Sequence, residues 1–277
     1  METIWIMARL TFREAARKRL LWTALIAGGG FLLLFAIGLH LQMVDFAQTT
    51  PAFVRYQILS GMLMIGLYTV DLLAVVMTIL TSVDTVSGEI ATGTIHAIAI
   101  KPMPRWQIVL GKWFGFAGML FAYVAMMFGG TIAVTELLAG LVPQHPLNGF
   151  LLVYLECVIA LSVTFMFGTW FSSLATGVVA LGLQGLSFMG GWLEQMSGFT
   201  DGSRVAMAGI VTSLVMPTEA VWRRAAYEME SPLAGSLPQF AIFTDVSIPS
   251  ASMIAYAGIY LIGVLSIAIY HFHERDL

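Results

Sequence analysis

Six long apolar blocks separated by more polar stretches set the pattern of this chain. The first is Leu20–Leu41. The second, Ile58–Val83, is interrupted only by Asp71, and the third begins near Ile108, after Pro104, and runs to about Leu141. Cys157–Leu193 carries no formal charge and is too long for one crossing. Starting at Asn148, it divides at the Ser172–Gly177 segment into a fourth and a fifth block, and the sixth is roughly Ser250–Tyr270. About 20 apolar residues in a helix span the hydrocarbon layer of a bilayer. The pattern therefore predicts an all-α integral membrane protein with six transmembrane helices, in one domain over 20–277.

Residues 1–19 follow a different period. Arg9, Arg13 and Arg17 fall on one face at helical spacing, with Ile4, Met7, Ala8, Phe12 and Ala15 on the other. Such a segment lies in the headgroup region with its arginines toward lipid phosphate. A basic stretch before an apolar one also suits a secretory signal. The first block, however, exceeds the roughly 7–15 residues of a signal core, so it is expected as a retained span.

Composition supports lipid as the solvent: 58% of residues are hydrophobic and only 10% charged, against roughly a quarter charged in soluble domains. A net charge of −3 and the lack of a basic patch give no reason to expect a nucleic-acid partner. Cys157 is the single cysteine, which excludes an intrachain disulfide and any CxxC site. With the N-terminus inside, cytoplasmic segments hold nine lysines and arginines and the other side four. The positive-inside rule then places both termini in the cytoplasm. Two connecting segments are long: a cytoplasmic one over about 84–104 and an extracytoplasmic one over about 198–249. Within the latter, 204–230 is expected to be helical and broken at Pro217.

The stretch Ser82–Gly115, SVDTVSGEIATGTIHAIAIKPMPRWQIVLGKWFG, carries the most information. It leaves the second span, is expected to form a short helix around Gly88–Ala99, and turns sharply at Lys101-Pro102-Met103-Pro104, where proline ends a helix. Arg105, Trp106 and Lys112 are expected to anchor the third span at the interface. A short helix with small residues and one acid suits docking into a groove of another protein.

This stretch resembles the coupling-helix region of ABC-2 type permeases. The matching residues are Ser87-Gly88-Glu89, Gly93-Thr94, Lys101-Pro102, Arg105 and Leu110-Gly111-Lys112. The basic amphipathic start resembles the family's elbow helix, and six spans with a long segment before the sixth also match. Met216-Pro217-Thr218-Glu219-Ala220-Val221-Trp222 resembles permeases that serve multicopper-enzyme maturation, including the nitrous-oxide-reductase copper system. The resemblance implies the type V exporter-like fold and a bacterial or archaeal cell membrane. It implies a second permease copy or homologous permease and two copies of a separate ABC ATPase, and it leaves room for an extracytoplasmic accessory protein. Export or mechanical energy transfer would be driven by ATP and Mg²⁺ held on the ATPase. No cofactor is expected on this chain: Gly111-Lys112 superficially suggests a P-loop, but Trp106 stands where its first glycine belongs.

Asp71 and Glu156 are the acids deepest in the blocks. An ionised carboxylate at mid-membrane costs at least about 2.5–3.5 kcal/mol. They are candidates for a substrate path or a subunit interface; a neutral, hydrogen-bonded aspartate, with Tyr68 or Thr69 nearby, is weighed evenly against that. Glu136 and Glu194, nearer the outer ends, are expected in water. The seventeen methionines are weighed as soft ligands for Cu(I) but read as apolar filler, and no metal ligand is proposed. Two other classes compete. An intramembrane serine protease would need a base beside Ser187, and no histidine lies in a span core. An ion-gradient-driven secondary transporter would show broken midplane helices and paired half-repeats, neither of which the sequence displays.

Overall fold

A computed structural model describes residues 2–17, 19–46, 50–91, 104–197, 203–230 and 248–274. Among them the regular elements are nine α-helices: α1 (Glu2–Arg17), α2 (Arg19–Asp45), α3 (Ala52–Ala91), α4 (Arg105–Ala139), α5 (Pro146–Gly168), α6 (Ser173–Ser197), α7 (Ser203–Val215), α8 (Thr218–Met229) and α9 (Ala251–Glu274). Six are long and apolar enough to cross a membrane, namely α2 to α6 and α9. The chain is a multi-pass membrane protein, and the expected spans match these helices within a few residues except at α3. There the short helix expected around Gly88–Ala99 does not begin separately. The α3 helix continues unbroken from the span through Ser87, Gly88 and Glu89 to Ala91, and residues 92–103 lie outside the described ones. At about 1.5 Å per residue, 40 residues reach about 60 Å, twice the hydrocarbon thickness.

The α5 helix is the centre of the bundle and touches α3, α4, α6, α8 and α9. Its residues from Glu156 through Phe165 are all buried, as expected of a helix that is apolar on every face. By contrast, α2 and α9 present exposed Ile26, Leu33, Leu34, Ile37, Ile259 and Ile262. The two ends of the bundle differ. At the end carrying α1, the start of α4 and the end of α9, α1 lies along α4 so closely that a Cβ on Gly115 would sit 2.7 Å from the Ala8 carbonyl. The buried stripe of α1 is Ala8 and Thr11, while Trp5, Ile6, Leu10 and Phe12 remain exposed beside Arg9 and Arg13. At the distal end, α4 stops at Gly140, which adopts φ 66° and donates its N–H to the Glu136 carbonyl at 2.9 Å. Glycine takes this left-handed cap without a Cβ penalty.

The segment before the last span is not simply a distal loop. The α7 helix runs back down α6: Gly209 meets Gly190 backbone to backbone, and Met216 reaches Ser187, two residues past the midpoint of α6. The chain breaks at Met216-Pro217, and α8 climbs out again. Glu219 fills the space over Gly191, Arg223 pairs with Glu194, and Asn148 at the start of α5 donates to Glu228 at 3.3 Å. Together α7 and α8 make a re-entrant hairpin whose tip lies at mid-depth. The break at Pro217 was expected; its burial inside the bundle was not.

Candidate functional site

Two places gather chemistry: the α3–α4 connection and a polar cluster at mid-depth. Of the docking residues read from sequence, Ser87, Gly88 and Glu89 lie on the last turns of α3. Gly93, Thr94, Lys101 and Pro102 lie outside the described residues. Arg105 is the first residue of α4 and donates from Nη1 to the His273 carbonyl at 3.2 Å. That carbonyl is among the last of α9, where helices end with unmatched acceptors and negative dipole. Further along α4, the Lys112 ammonium donates to the Thr85 carbonyl of α3 at 3.4 Å. Lys112 is therefore not a surface anchor: it is 5% exposed and held between helices by the Thr85 carbonyl. Trp113 donates to the Ser162 hydroxyl of α5 at 2.9 Å, and Tyr154 of α5 returns a bond to the Ala117 carbonyl at 3.0 Å. Within four turns of the connection, α4 is bonded to α9, α3 and α5. Of the membrane-surface arginines, Arg9 and Arg13 are exposed and Arg17 ends α1.

The mid-depth cluster brings Asp71 and Glu156 together. Asp71 is central in α3 and Glu156 is one residue from the midpoint of α5. Both are buried within this one chain, and their carboxyls lie close to one another where α3 packs on α5. Gln184, at the midpoint of α6, donates from Nε2 to Glu156 at 3.3 Å. The tip of the hairpin lies alongside. Trp222 of α8 meets Tyr68 edge-on with ring centroids 5.2 Å apart, and Glu219 is within electrostatic reach of Glu156. Thr69 hydrogen-bonds the Ile65 carbonyl of its own helix, so it is not the partner of Asp71 considered from sequence.

Ser187 is engaged structurally. Its hydroxyl donates to the Met216 carbonyl at 2.7 Å and accepts from the Thr218 hydroxyl at 3.1 Å and the Glu219 amide at 3.2 Å. It thereby serves the backbone groups that the break leaves without helical partners. Glu194 was expected in water; instead it binds Arg223 at 2.7 Å, the two side chains being 16% and 4% exposed. Glu136 is exposed, as expected, and Cys157 is fully buried. Gln184, Glu219 and Arg223 were missed as site residues because their partners are distant in sequence. The local signals were the apolar surroundings of Gln184 and the Met216–Trp222 motif that contains Glu219.

A family model described as ABC-2 family transporter protein matches residues 5–277. No curated protein matches the chain.

Proposed function

The chain belongs to the ABC-2 transporter family, and on that premise we propose that it is a permease driven through its α3–α4 connection by separate ATPase subunits. Members of this family are the membrane component of ABC transporters and work with an ABC ATPase. The finer reading is that two permeases pair, each docks one ATPase, and ATP with Mg²⁺ binds on those ATPases. Both termini and residues 84–104 then face the cytoplasm of a bacterium or archaeon. Ser87, Gly88, Glu89, Gly93, Thr94, Lys101, Pro102 and Arg105 form the docking segment. The observation that carries this reading is the bonding of α4. A push on its start is received by α9 through Arg105, by α3 through Lys112 and by α5 through Trp113. Closure of the ATPases would tilt these helices together and move the contents of the bundle.

Export or mechanical energy transfer to an extracytoplasmic accessory protein fits that motion. Enclosure of Asp71 and Glu156 inside one chain favours a polar path within the subunit over a role between subunits. One observation supports ion coupling as a second reading: the α7–α8 break at mid-depth is the kind of discontinuous helix that ion-coupled carriers use. Copurification with the cognate ATPase tests the leading reading. ATPase stimulation by the permease should drop about tenfold for Glu89→Ala with Thr94→Ala, equivalent to ~1.4 kcal/mol of docking. Unchanged stimulation and binding would remove this segment from the mechanism.

A further inference from the structure

The mid-depth cluster is rich in acceptors and short of donors. Asp71 is 7% exposed and Glu156 is fully buried. Oδ1 of Asp71, Oε2 of Glu156 and Oε1 of Gln184 are all buried and meet no donor among the described residues. An ionised carboxylate only accepts hydrogen bonds, so two of them close together repel each other. Carboxylates this close, away from water, do not both ionise. A single proton between them turns repulsion into a bond.

We propose that Asp71 and Glu156 form a proton-binding site, holding one proton between their carboxyls in the arrangement seen and releasing it when the α7–α8 hairpin withdraws. The hairpin is placed to control access because Trp222 packs edge-on against Tyr68, one helical turn from Asp71, and Glu219 lies within electrostatic reach of Glu156. On withdrawal, water enters and takes the proton as hydronium. Two carboxylates remain, and the charge of the pair passes from −1 to −2; return of the hairpin favours uptake of one proton from water. The titratable groups around the pair are Tyr68 on α3, Cys157 on α5 and Glu219 on α8. From α6, Gln184 contributes a neutral amide, and Tyr123 of α4 shares the core around Cys157. Arg223 is engaged by Glu194 farther toward the distal end. Linking release to the transport cycle rests on the permease reading; the existence of the site does not.

Infrared spectroscopy of the full chain in lipid nanodiscs tests the site without any ATPase. At neutral pH the wild type should show the carbonyl stretch of a protonated, slowly exchanging carboxylic acid. Asp71→Asn and Glu156→Gln should each lose it, because the new amide supplies the donor that the proton had supplied. Glu219→Gln should keep it. Absence of the band in the wild type, its survival in both pair variants, or its loss in Glu219→Gln would overturn the assignment. Thermal unfolding provides a check that needs no single variant. A proton bound in the folded state and released on unfolding makes stability fall as pH rises, so the wild-type melting temperature should decline toward alkaline pH. In Asp71→Asn/Glu156→Gln that decline should flatten, and an equal slope in both proteins would contradict the proposal.

Discussion

The hydroxyl of Ser187 is fully used at the α7–α8 break, with one bond given and two accepted. A buried backbone group without a partner is costly, and loss of such a bond typically removes about 1–3 kcal/mol. Ser187→Ala should therefore lower the melting temperature of the detergent-solubilised chain, whereas Ser252→Ala, at an exposed position, should leave it unchanged. Equal melting of Ser187→Ala and wild type would mean that the break is satisfied in another way. The depth of Asp71 and Glu156 was legible in the sequence, because a lone acid in an apolar block has few places to go. Their pairing was not. Helix phase says which residues share a face of one helix, but it does not say which face of α5 meets α3. Glu194 and Arg223 illustrate the same limit: each reads as a solvated end until the other lies beside it at 2.7 Å.

The six spans were legible because lipid imposes a length and an apolar composition on each of them. The re-entrant hairpin escaped because α8 carries Glu219, Arg223, Arg224 and Glu228 and looks like a surface segment. Its charges are matched within the protein: Arg223 to Glu194, and Arg224 to Glu228 at 2.5 Å. What holds the hairpin against α6 is the absence of side chains at Gly190 and Gly209. A Cβ on Gly190 would fall on the Thr212 side chain, and one on Gly209 on the Gly190 carbonyl. Gly209→Val should force α7 off α6 and destabilise the chain by about 1–3 kcal/mol, the usual range for overpacking. Gly182→Val, where a Cβ meets nothing within 4 Å, serves as the control. Limited proteolysis in the hairpin reads the difference, and similar cleavage of the two variants would show that the α6–α7 approach is not tight. The length of α3 was hidden for another reason. Polar residues past Val83 looked like an exit from the helix, yet helices leave membranes without unwinding when water can solvate their outer turns.

Taken whole, the molecule is a long α3–α4 pair that projects past the bilayer at one end, bonded to a central α5, with a hairpin inserted from the other end. Its family membership implies an ABC ATPase, and under the proposed reading a force at the start of α4 would enter the bundle through Arg105, Lys112 and Trp113. The expected orientation rests on the nine-to-four distribution of lysine and arginine. Arg223 and Arg224 weaken the count for the opposite side, because their charges are paired in the hairpin. Cys157 is fully buried, so Thr94→Cys adds a reactive thiol on a background whose native cysteine is shielded. Labelling of Thr94→Cys by a membrane-impermeant maleimide, in membrane vesicles of both orientations with and without the ATPase bound, addresses the central claim directly. The account predicts labelling only from the cytoplasmic face and protection of that thiol by the bound ATPase. Labelling from the outer face, or full reactivity with the ATPase in place, would contradict it.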